Sequence, residues 1–102
     1  MEILWTRHSK DKMYYYRLSE SRIKRVLRNP RRKEMGIAPG TVAVMQPNNS
    51  KHTYEIWAMY SNSRGGKIKV ITAWRYPGKS PIRGPIPIPL EILEELGEII
   101  NQ

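Results

Sequence analysis

Three residues near the start of the chain, His8, Asp11 and Lys12, are spaced for chemistry on one helical face. Asp11 and Lys12 stand at i+3 and i+4 from His8, and Tyr15 at i+7. An imidazole titrates near neutrality, so His8 is the first candidate for a general base. Asp11 would orient the ring, and Lys12 would hold a phosphate. Cutting RNA without a metal needs little more than this. The 2′-hydroxyl is the internal nucleophile, and the protein supplies positioning, proton transfer and cations against the phosphorane charge. Arg17 and Lys69 are further candidate contacts to nucleic acid. The competing reading makes His8 a surface or helix-capping residue and the cations a solvated face, since eighteen Lys and Arg must lie mostly outside.

The second histidine, His52, falls at the start of a strand. If its hairpin pairs residues whose numbers sum to about 127, His52 faces Arg75 and Tyr54 faces Ala73. It reads better as a strand-end surface residue. Trp5, Trp57 and Trp74 read as core rather than as stacking platforms. Tyr14, Tyr15 and Tyr16 cannot all be buried on one helix, so at least one is exposed. Two histidines and scattered acids make no metal site, and no motif calls for a cofactor. Arg64-Gly65-Gly66-Lys67 is a turn with a cation rather than a phosphate-cradling loop.

Charge narrows the partner. Eighteen Lys and Arg face five acids over residues 1–89, a balance of +13, while four glutamates after residue 90 make the tail −4. A basic body favours polyanions through counterion release and steering, so RNA is the expected partner. Cysteine is absent, which excludes disulfides, thiolate nucleophiles and zinc-thiolate sites and fits a reducing compartment. No secretory leader is visible, and no apolar run approaches the roughly 20 residues that span a bilayer. The expectation is a cytoplasmic protein without membrane contact.

The elements that must position these residues follow from periodicity. Residues 2–5 suit a short edge strand, and Thr6 caps a helix over 7–16. Ser19 caps a second helix, with Ile23, Val26 and Leu27 on its apolar face and Pro30 ending it. Strands are expected over 33–37, 41–46, 51–61 and 67–76, forming an antiparallel meander. In the last, Ile68, Val70, Thr72, Trp74 and Tyr76 share one face. Residues 77–89 carry five of the eight prolines and read as an extended surface arm. Residues 90–102 form an acidic amphipathic helix with Leu93, Leu96 and Ile100 on one side. The domain thus covers 1–76, the arm 77–89 and the helix 90–102, in a single α+β unit. The acidic helix either folds back on the basic face, pairs with a second copy, or caps an apolar face of the sheet.

Helix, helix, then meander is an order similar to the RelE/ParE-like (BrnT-like) ribonuclease toxin superfamily. Thr6-Arg7-His8, Met13, Arg17, Ser19, Asn29-Pro30 and Val70-Ile71-Thr72-Ala73-Trp74 resemble more closely the family catalogued as domain of unknown function 4258. The resemblance covers about residues 3–76 and departs at Tyr14-Tyr15-Tyr16, bulkier than the charged run expected there. It implies two N-terminal helices on a three- to four-stranded antiparallel sheet. It further implies a metal-independent, toxin-type endoribonuclease, an antitoxin or other protein partner, and functional weight at His8 and at the end of the last strand, where Arg75 would offset the phosphorane charge and Tyr76 help position the nucleic acid. The alternative is a non-catalytic module that binds nucleic acid or protein on the same scaffold.

Overall fold

The computed structural model describes residues 2–48 and 50–100, with side chains described to residue 97. Helix α1, Arg7–Tyr16, starts at the Thr6 cap. Thr6 Oγ1 accepts the Ser9 N–H at 3.0 Å and shares its own hydrogen between the carbonyls of Val70 (3.0 Å) and Ile71 (3.1 Å). A cap of this kind stabilises a helix by about 1 kcal/mol; here it also ties α1 to a strand 64 positions away. Helix α2, Glu20–Arg28, is capped by Ser19, whose Oγ accepts the Arg22 N–H at 3.1 Å. Its Ile23 and Val26 are fully buried, and Asn29 closes it before Pro30.

Five strands, β1 (Ile3–Trp5), β2 (Arg32–Met35), β3 (Thr41–Asn48), β4 (Tyr54–Asn62) and β5 (Ile68–Pro77), form one sheet in the order β1-β5-β4-β3-β2. The meander β2 to β5 is antiparallel as expected. The sheet is nevertheless mixed and five-stranded, because β1 pairs with β5 in parallel, Ile3 opposite Ile68. A three-residue strand is too short for its alternation to name a partner or a direction.

The register of β4 on β5 corrects two expectations. Ile56, not His52, stands opposite Arg75, and Pro77, not Ala73, opposite Tyr54. His52 precedes β4, exposed in the bend that leads into it. The register then shifts at Met59/Tyr60, so that Ile71 is an extra residue on β5. This β-bulge reverses the alternation of the strand. Ile68, Val70 and Ala73 pack in one apolar cluster, while Ile71, Trp74 and Tyr76 pack in the other. The five residues expected on one face are therefore divided between two.

Each face of the sheet carries helices. On one, Met13, Ile23 and Val26 of the N-terminal helices and Leu18 between them pack on Val44, Ile56 and Ala58. On the other, the Trp57 and Trp74 rings stack at 5.7 Å with planes 2° apart. Ile92 and Leu96 of α3, Leu90–Ile100, cover them. Thus α3 caps the second apolar face. Its buried pair is Ile92 and Leu96, at i and i+4, rather than Leu93 and Leu96; Leu93 remains 38% exposed, and the Ile100 side chain lies outside the described residues. Between β5 and α3 the proline arm is tied down. Buried Glu55 accepts Trp57 Nε1 (3.0 Å), Ser80 N (3.1 Å) and Ser80 Oγ (2.6 Å). Arg32 donates to the carbonyls of Pro81 (3.0 Å) and Gly84 (3.2 Å) while lying over Trp57.

Candidate functional site

The path to His8 begins at the bulge. Thr6 binds the Val70 and Ile71 carbonyls there, which sets the first turn of α1 against β5. His8 Nε2 then lies 3.0 Å from Thr72 Oγ1. From the opposite face α3 brings Glu95, whose Oε2 is 3.2 Å from His8 Nδ1. Its Oε1 accepts from Lys12 Nζ at 2.6 Å. In the neutral ring a carboxylate beside Nδ1 favours the proton there, which makes Nε2 the acceptor and the Thr72 hydroxyl the donor. Carboxylate, imidazole and hydroxyl stand in the order of a nucleophilic triad, yet Thr72 is wholly buried. The hydroxyl locks the ring; no substrate can reach it.

Burial, opposed by Glu95, holds the His8 pKa below the usual 6.5; Lys12 also lowers it and Asp11 raises it. The short contact to Glu95 alone would suggest the reverse. The His8 side chain is only 11% exposed, however, while Glu95 is 38% exposed and shares its charge with Lys12. Desolvation prevails over a carboxylate that is half in water and already paired. His8 is accordingly neutral at pH 7, with both ring nitrogens engaged. Asp11 makes no hydrogen bond to it; the orienting carboxylate is Glu95.

His8, Asp11, Lys12 and Arg17 do line one open hollow of about 1030 Å³, together with Tyr14 and Tyr15. Arg75 does not join His8 there. It lines a second cleft of about 400 Å³ with Arg17, Arg22, Arg25, Asn48 and Tyr54. The two hollows share Arg17, Leu18 and Ser19 as a common wall. Among the described residues no carboxylate lines the second cleft, and none of its four arginines is ion-paired. Arg75 lies 4.4 Å from the Tyr54 ring centroid, and its buried Nε has no hydrogen-bond partner among the described residues. Burial and then Arg25 push the Arg22 pKa below its ordinary value, with Tyr54 opposing. Such a cluster is loaded with like charge that an anion would relieve.

Two further expected contacts fall elsewhere. Lys69 pairs with Leu4 at the far end of β5, and Tyr76 packs in the cluster under α3. The residues not anticipated are Glu95, Arg22, Arg25 and Tyr54. Arg22 and Arg25 were visible as an i, i+3 pair opposite the apolar face of α2. Nothing in the local pattern marked Tyr54, and the opposite charges of tail and body pointed to Glu95 only in general terms.

Among the described residues no group of His, Asp and Glu is placed to hold a metal ion, and no helix is long and apolar enough to cross a membrane. Set against protein-family models, curated proteins and solved structures, the chain finds no match.

Proposed function

We propose that this chain binds nucleic acid, with RNA as its target, through the arginine cleft between α2 and the sheet. The observation that carries this reading is the cleft itself: Arg17, Arg22, Arg25 and Arg75 line it together, with no carboxylate beside them among the described residues. Arginine forks match phosphate oxygens in two-bond geometry, and a guanidinium stacked on tyrosine is held ready for that contact. The overall charge of +9 adds long-range attraction. The choice of RNA rests on the resemblance to the RelE/ParE-like superfamily, which also suggests an antitoxin or a second copy as protein partner. The cysteine-free composition suits the cytoplasm as its place of work.

Binding is favoured over cutting because His8 Nε2 is already occupied by Thr72. A 2′-hydroxyl would have to displace that donor before its proton could be taken. The endoribonuclease reading retains one observation: His8, Lys12 and Arg17 share a hollow that opens beside the cleft. In this reading Glu95 and α3 hold the histidine out of service.

The test is binding of labelled RNA across a salt series in excess EDTA. Steep weakening with salt is expected, and Arg22→Ala with Arg25→Ala should reduce the slope by ~0.7 per cation removed. An unchanged slope in that double variant would remove the cleft from the interface. Metal-free cleavage by the parent protein, abolished in His8→Ala, would favour the nuclease instead.

A further inference from the structure

We propose that Tyr14 and Tyr15 form a base-stacking platform beside the arginine cleft, so that the RNA taken is an unpaired strand. This rests on the cleft's being the phosphate site. Tyr14 is 88% and Tyr15 72% exposed on the last turn of α1. Packing within the fold therefore gives no reason for two adjacent large aromatic side chains in water. Both line the open hollow whose wall, Arg17 to Ser19, is also the wall of the cleft. An aromatic surface and an anion site are thus continuous across three residues.

Tyr15 is braced rather than loose. The Tyr16 ring meets Tyr15 edge-on, centroids 4.8 Å apart and planes at 88°. Lys12 Nζ lies 5.4 Å from the Tyr15 centroid. These contacts fix the ring and place a cation beside it. Arg17 caps the C-terminus of α1, its N–H turned to the Met13 and Tyr14 carbonyls. With φ of 58° it is the one non-glycine among the described residues in left-handed backbone, a position that favours glycine or asparagine. A large cation at that point is conformationally costly. Its side chain lines both hollows.

The chemistry of the ligand follows. A duplex keeps its bases paired and stacked inside, out of reach of a ring on the protein surface. A single strand can turn its bases outward onto tyrosine while arginines follow its phosphates. Stacking on a ring requires no particular base, so the platform is tolerant of sequence.

Fluorescence anisotropy with a short labelled single-stranded RNA, and with the same RNA as a duplex, decides the matter. The parent protein should bind the single strand more tightly. Tyr14→Ala with Tyr15→Ala should weaken that binding roughly 10- to 100-fold with an unchanged salt slope, and Tyr14→Phe with Tyr15→Phe should restore it. Melting curves establish that these surface variants are folded. Equal affinity for duplex and single strand, or an alanine pair that binds like the parent, would overturn the platform. If Arg22→Ala with Arg25→Ala still weakens both RNAs in that series, the cleft stands without it. If the arginine pair changes neither affinity, cleft and platform fall together.

Discussion

Glu95 of α3 reaches from the opposite face of the sheet to His8 of α1 and sets its Oε2 3.2 Å from Nδ1. The contact joins the acidic tail to the basic body at the one residue best suited to acid–base chemistry. It also leaves Nε2 as the acceptor for a buried threonine, which makes the histidine a clasp between two helices and a strand.

The clasp has a pH signature. The folded pKa of His8 lies below its ordinary 6.5, so the unfolded chain takes up the proton more readily. The stability from neutral His8 is therefore full above about pH 6.5 and is lost as pH falls through the folded value. Melting temperature should decline as pH falls below about 6.5, less so in His8→Gln. By NMR the His8 ring should titrate below 6.5, and lower still in Glu95→Gln, since Glu95 raises it. Titration above 6.5 would show that the ion pair prevails over burial.

Arg17→Gly should separate stability from binding. Glycine relieves the left-handed strain of φ 58° and should raise stability by about 1 kcal/mol in urea denaturation. Affinity for RNA should fall in the same variant. A loss of both would mean that the arginine packs structurally.

Glu55→Gln should destabilise the fold by about 1–3 kcal/mol. The carboxylate accepts three hydrogen bonds, from Trp57 and Ser80, and an amide would turn its NH2 toward one of those donors. Chemical denaturation measures the loss, and proteolysis should find the proline arm released.

On α3, Leu96→Ala should cost about 2–5 kcal/mol as a cavity opens over the tryptophan pair, whereas Leu93→Ala should change stability little. Leu96 is 2% and Leu93 38% exposed. Equal losses in thermal unfolding would contradict the orientation of the helix.

Local chemistry alone determined much of this protein. Thr6 and Ser19 were legible as caps because a hydroxyl before an apolar-periodic run has one strong use, satisfying the free N–H groups of the first turn. Pro30 marked a helix end, and twofold alternation marked β2 to β5. The charge division between body and tail, and the exposure of part of Tyr14 to Tyr16, also followed from composition and geometry. Tertiary structure decided what depends on neighbours distant in sequence. The bulge at Ile71 inverted the faces of β5, since an extra residue changes parity without leaving a mark in a continuous apolar run. The parallel partner of β1, the placement of Arg75 with the α2 arginines, and Glu95 rather than Asp11 on His8 were settled the same way. Asp11 was near in sequence, but burying Ile92 and Leu96 over Trp57 and Trp74 carried Glu95 to the imidazole. Helical spacing determines which residues share a face; the apolar core decides what that face meets.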